Sequence, residues 1–204
     1  IMRGLILGSQ FEKGALELLQ RDIATTLNDF GVTVMLLNTN SDSNKKDDLE
    51  LSLIEKGVSK VHFLDLPLNP NFFQVMLGTL KLRYILQKEK IDILETSSES
   101  ISILGMLSCL GTKIYHVIGI HKTYNRNKGD FNKFRELTFL LLTKLRKRIY
   151  FYAVSHWTKN AWVNFSKTKD RKVKVIFNSC NFDVDIKNIE EFKNNFFLKL
   201  DIPL

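Results

Sequence analysis

Short apolar runs that alternate with amphipathic stretches constrain this chain more than any single residue does. Leu5-Ile6-Leu7 is apolar at three successive positions, so a strand there buries both of its faces. Leu16, Leu19, Ile23, Leu27 and Phe30 follow at helical spacing, and Gly31 stands where a left-handed residue ends a helix. Residues 32–37 are again apolar and rich in β-branched side chains. The alternation continues with a strand at 61–64, closed by Pro67 and Pro70, and a helix at 72–88. A strand at 91–95 leads to a helix at 97–110 with Ser97 as its N-cap. After a strand at 113–120, a helix at 131–148 sets Phe134, Leu137, Leu141 and Leu145 on one face. Strand 149–154, helix 158–165, strand 173–177 and a helical tail at 189–198 complete the reading. Strands apolar on both faces, each followed by a helix, imply an α/β fold: a Rossmann-like, doubly wound, mostly parallel sheet of about seven strands with helices on both faces. In such sheets ligands bind outside the carboxyl ends of the strands, so the loops there are where chemistry is sought.

Composition narrows the class. The 204 residues suit one domain, and 44% hydrophobic with 25% charged residues is ordinary for a globular one. Cys109 and Cys180 do not form a disulfide framework. Cys109 sits in an apolar run and reads as a buried small hydrophobe, and a reducing, cytoplasmic setting follows. No Cys/His spacing suggests zinc. The apolar runs at 4–8 and 139–142 are too short for a signal peptide or a membrane span. The net charge of +8 admits nucleic acid, an anionic membrane surface or a phosphate-bearing substrate as partner, with a merely basic solvated surface as the plain reading. The aromatics are mostly Phe at core-like positions rather than interleaved with Arg, which argues against nucleic acid. Lys144, Lys147 and Arg148 share a face near the end of helix 131–148. Either the leucines of that helix face the sheet, or the helix contacts anionic lipid.

At the strand ends, the loop from Gly8 to Gly14 precedes a helix, whose free N–H groups and dipole suit a phosphate. It is neither a dinucleotide fingerprint nor a Walker loop. His121 follows strand 113–120 beside Lys122, where this architecture meets its ligand. His62 and His116 lie within strands and read as packing residues. Ser155 reads as a helix cap without a nucleophile elbow around it, and His156 opens the helix that follows. Asp183-Val184-Asp185 matches a three-letter cation motif but lies past the last strand and reads as a decoy.

Set in order, six features resemble the N-terminal domain of retaining glycosyltransferases of family 4, which have the GT-B fold. They are residues 5–7, Lys13-Gly14 with its helix, Phe30-Gly31-Val32-Thr33-Val34, Ile91-Asp92-Ile93-Leu94-Glu95, the strand ending in His121, and Val154-Ser155 followed by a strand into Asn178. Three departures stand out: Lys13 replaces the first of a paired glycine, His156 an acidic residue, and Asn178-Ser179-Cys180-Asn181 an Asn-Gly-Val-Asp turn. The resemblance implies that Gly14 lets backbone amides approach the donor diphosphate. It implies that His121 is the catalytic residue, positioning the transferred sugar and stabilising its transition state, with Lys122 and Ser98 on the acceptor side. The nucleotide-sugar donor is a substrate, and neither cofactor nor metal is implied. The acceptor is a glycan or a lipid-linked molecule, with peripheral contact to an anionic membrane and no nucleic acid. On this reading 1–190 are the acceptor-side domain, and 191–204 begin a linker to a donor-binding domain without which the chain does not turn over. Two alternatives stay open: a non-catalytic nucleotide-binding module, and half of a GT-B nucleotide-sugar epimerase.

Overall fold

The computed structural model describes residues 2–8, 20, 23–24, 26–27, 33–38, 46–55, 57–67, 70–121 and 133–177. Seven strands run through them: β1 Arg3–Gly8, β2 Thr33–Asn38, β3 Lys60–Phe63, β4 Ile93–Thr96, β5 Tyr115–Ile120, β6 Ile149–Ala153 and β7 Val173–Val175. They form one sheet in the order β3-β2-β1-β4-β5-β6-β7, every neighbouring pair parallel. The helices are α1 Lys46–Glu55, α2 Phe72–Lys88, α3 Glu99–Ser108, α4 Lys133–Leu145 and α5 His156–Ser166. Residues 20, 23, 24, 26 and 27, between β1 and β2, are helical as well.

Both faces of the sheet are buried, as the apolar strands require. Leu5 and Leu7 pack with Leu82, Leu86, Leu94 and Leu104 on the face that carries α2 and α3. Ile6 points the other way, into Ala24, Leu53, Val58 and Val61. Further along, Phe139, Phe151, Trp162 and Phe165 close the core beneath α4 and α5. The Trp162 ring meets those of Phe139 at 5.4 Å, Phe151 at 5.5 Å and Phe165 at 5.8 Å.

Helix α2 occupies the residues that periodicity assigns to it. Its start is a capping box: Gln74 N donates to Asn71 Oδ1, and Asn71 N donates to Gln74 Oε1, both at 2.9 Å. Gly78, Leu82, Ile85 and Leu86 are its buried positions. Three other expectations need correction. Helix α1 has no counterpart in the reading, because its sequence KDDLELSLIE gives no apolar stripe; Leu53 is buried while Leu51 and Ile54 are exposed. Helix α3 begins at Glu99, so Ser98 and not Ser97 is the N-cap. Helix α4 ends at Leu145, and the stripe Leu137, Leu141, Leu145 faces outward; Phe139 and Leu142 pack inward instead. Residues 137, 139–142 and 145 are all apolar, so periodicity offers two faces and the packing against α3 and the sheet selects one. Lys147 and Arg148 lie beyond the helix, and Arg148 Nη1 donates to the Lys113 carbonyl at 2.8 Å. The tail at 189–198 and Cys180 lie outside the described residues; Cys109 is buried as expected.

The aromatic cluster supports a direct test. Replacing Trp162 by Ala is expected to cost about 3–5 kcal/mol of stability in urea unfolding. A loss below about 1 kcal/mol would show that α5 is held by something else.

Candidate active site

Strand order reverses next to β1. The chain runs outward through β2 and β3, then returns to place β4 on the other side of β1. Loops diverge at such a point and leave a crevice over the carboxyl ends of the strands. Here that end is bounded by Gly8 of β1, Glu95 and Thr96 of β4, and His121 directly after β5.

Two polar layers lie against the end of β4, one on each face of the sheet. Beneath α3, Thr96 Oγ1 lies 2.8 Å from Ser102 Oγ and 2.9 Å from His116 Nε2. All three side chains are fully buried. Helix α3 comes so close that a Cβ on Gly105 would lie 2.9 Å from His116 Cε1. His116 Nδ1 is buried and has no hydrogen-bond partner among the described residues, and burial, aided by the nearby Arg146 charge, pushes the imidazole down to about 3. Arg146 is itself buried, with Nη2 donating to the Ile114 carbonyl at 2.6 Å. Thus His116 packs, as expected of a histidine inside a strand. His62, in β3, lies 3.3 Å from Glu89 through Nε2.

On the opposite face the buried carboxylate of Glu95 gathers three donors. Tyr152 OH donates to Oε1 at 3.0 Å, Ser97 Oγ donates to the same oxygen, and Gln20 Nε2 donates to Oε2 at 3.0 Å. Burial pushes the Glu95 carboxyl above its usual range, and these donors oppose the shift. The phenol of Tyr152 then lies 3.3 Å from His121 Nε2, the rings edge-on at 5.6 Å. Burial alone lowers His121 to about 4. At neutral pH it is therefore an uncharged imidazole with one N–H and one lone pair. Such a group can orient a hydroxyl or donate to developing negative charge, but is too weak a base to carry a proton transfer by itself.

The structure thus places His121 where the sequence puts it. Ser98 follows Ser97 at the same end of β4, as the N-cap of α3, and its hydroxyl makes no cap hydrogen bond. Gly14 and Lys122 lie outside the described residues, as do Asp183 and Asp185. Among the described residues no group of three His, Cys, Asp or Glu side chains could hold a metal ion. Ser155 is the cap it was read to be, its Oγ accepting from Thr158 N at 3.1 Å. Sequence reasoning passed over Glu95, Tyr152 and Gln20 as site residues. The available signal was a carboxylate inside a strand buried on both faces, which needs dedicated partners.

Against this geometry, the model of Glycosyltransferase Family 4 matches residues 17–184. The chain belongs to that family. No curated protein matches it in sequence. Among solved structures, a glycosyltransferase from Rickettsia africae ESF-5 is similar with a TM-score of 0.68 at 19% identity, over 100% of this chain and 50% of its own. Anabaena Alr3699/HepE, solved with UDP-glucose, gives 0.68 at 15% identity, over 98% and 50%. Sucrose-phosphate synthase from Thermosynechococcus elongatus gives 0.68 at 11% identity, over 100% and 53%. These likenesses establish the fold, one Rossmann-like half of GT-B. The chain spans about half the length of the structures it matches.

Buried His116 and half-buried His121 set a pH dependence. Both titrate below the ordinary 6.5 when folded, so below that value the unfolded chain binds protons that the folded chain does not. Their stabilising contribution is complete above pH 6.5 and is lost as pH falls towards about 4 for His121 and about 3 for His116. Glu95 acts in the opposite sense: with its carboxyl raised above 4.5, it costs stability as pH climbs past that value. The Tm is expected to fall on acidification below pH 6.5, and to fall less in His116→Gln, whose amide does not titrate. Identical pH profiles for the two proteins would remove His116 as a source.

Proposed function

We propose that this chain is the N-terminal, acceptor-side half of a hexosyltransferase that moves a sugar from a nucleotide-sugar donor, with retention, to a glycan or lipid-linked acceptor. The process it serves is cell-surface polysaccharide or glycolipid synthesis, in the cytoplasm at the inner face of the membrane. Residues 1–190 form this half, and 191–204 begin the link to a donor-binding domain. The observation that carries the reading is the neutral His121, held at the carboxyl end of β5 beside the strand reversal of a Family 4 chain. In this role it orients the transferred sugar and stabilises the transition state. Gly14 opens the backbone to the donor diphosphate, Lys122 and Ser98 serve the acceptor, and the transfer needs no metal. Family membership favours this over an epimerase half or a non-catalytic nucleotide module. In the protein that carries both domains, His121→Ala is expected to lower kcat about 10²-fold in a radiolabelled-donor assay, while the 204-residue chain alone shows no turnover. An unchanged kcat in the variant, or turnover by the isolated chain, overturns the assignment.

The helix layer supports contact with an anionic membrane. Helix α3 packs between α2 and α4, and α2 leaves Phe73, Met76, Leu77, Leu80 and Tyr84 exposed on one stripe, with Phe72 85% exposed at its start. On α4, Leu137, Leu141 and Leu145 form the second stripe, Leu137 being 68% exposed. Helix α2 carries Lys81, Arg83 and Lys88 and no acidic residue, and Lys144 stands beside the α4 leucines. Apolar side chains with a basic rim suit the interface of an anionic bilayer. None of the described helices is long and apolar enough to cross a membrane. Sedimentation with phosphatidylglycerol-rich vesicles is expected to retain the chain at low salt, and Leu77→Glu/Leu141→Glu to weaken binding by about tenfold or more. Absence of binding at any salt concentration removes the membrane from this reading.

A further inference from the structure

Glu95, Tyr152 and His121 form a hydrogen-bonded chain, with Ser97 Oγ 3.4 Å from the Tyr152 hydroxyl beside it. Glu95 stands between the buried Leu94 and Thr96 in β4. When ionised, its carboxylate is an acceptor only, and it receives Ser97, Gln20 and Tyr152. Tyr152 has a single hydroxyl proton, committed to Glu95 Oε1 at 3.0 Å. Its oxygen therefore presents only lone pairs to His121 Nε2 at 3.3 Å. The hydrogen bond between them requires the imidazole to be the donor.

The backbone is shaped around this contact. Gly119 pairs with Tyr152 in the sheet and lies two residues before His121, on the same face. A Cβ on Gly119 would stand 2.5 Å from Tyr152 OH and 2.6 Å from His121 Nε2. No real Cβ makes such contacts, so any other residue here would drive the two groups apart. The rings also meet edge to face at 90°, which restricts how the imidazole can turn. Burial keeps His121 neutral at pH 7, so it carries one N–H and its tautomer is a definite property.

We propose that Glu95 and Tyr152 are positioning residues for His121: the Glu95 carboxylate directs the Tyr152 proton, and the Tyr152 oxygen holds His121 as the Nε2–H tautomer, leaving Nδ1 to accept a hydrogen bond from a ligand hydroxyl. The tautomer follows from this geometry with Glu95 ionised and His121 uncharged. The ligand hydroxyl, of the sugar or the acceptor, rests on the transferase reading above. Gly119 is the third part of the device, since it admits the contact.

The test is a long-range ¹H–¹⁵N spectrum of the uniformly labelled 204-residue chain at neutral pH. His121 is expected as a single Nε2–H tautomer whose N–H proton is slow to exchange with water. In Tyr152→Phe and in Gly119→Ala that exchange is expected to quicken by about tenfold or more. The His116 ring signals, on the other face of the sheet, should stay in place and report that the fold is kept. A wild-type His121 carrying its proton on Nδ1 overturns the proposal, as does an Nε2–H that exchanges equally slowly in Tyr152→Phe. A second readout uses the protein with both domains, where Tyr152→Phe is expected to lower kcat about tenfold with the donor KM held. If the tautomer behaves as stated but kcat is unchanged, the relay stands and the catalytic assignment of His121 falls.

Discussion

β1 hydrogen-bonds to β2 on one side and to β4 on the other, and the chain reaches those two neighbours by running in opposite directions across the sheet. Leu5, Ile6 and Leu7 make this strand apolar on both faces, which lets it sit centrally with helices above and below. In sheets of this topology, ligands bind over the carboxyl end of the strand at which the connections diverge. The candidate site depends on this reversal: Glu95 belongs to the strand that returns, and His121 to the one beside it.

Polar groups at that end are arranged at a cost that their partners offset. A carboxylate and an imidazole taken out of water lose several kcal/mol unless hydrogen-bonded. Glu95 offsets part of this through three donors, and His116 avoids it by remaining uncharged. Each face of the sheet thus carries one polar layer, and glycine lets the backbone approach in both: Gly105 under His116 and Gly119 under the Tyr152–His121 contact. The layer beneath α3 is sealed, and the other reaches the half-buried His121. That difference separates a histidine that packs from one that can meet a ligand.

The outward stripes of α2 and α4 belong to the same design. Helices run back from the carboxyl end of the sheet, so Phe72 and Phe73 at the start of α2 stand at the end that bears the site. On the proposed reading, a surface resting on an anionic bilayer through these residues would bring a lipid-linked acceptor near that end, and basic side chains on both helices would strengthen the contact.

Much of the fold was legible in the chain itself. Runs such as 5–7 reveal strands buried on both faces, and the periodicity of α2 gives its full length, because backbone hydrogen bonding imposes periods that side chains must follow. His121 could be placed from the sequence because the end of a strand in this architecture is a defined position. What the sequence left undecided are choices among equals. Helix α4 has two apolar faces, and only packing against α3 shows that Phe139 and Leu142 turn inward while the Leu137, Leu141, Leu145 stripe turns out. Glu95 and Tyr152 are far apart in the chain and meet because β4 and β6 flank β5 in the sheet, while Gln20 reaches Glu95 from the helical residues between β1 and β2. Local pattern determined the strands and every helix but α1 among the described residues; the joining of a carboxylate, a phenol and an imidazole into one hydrogen-bonded line was decided by strand register, which no local pattern encodes.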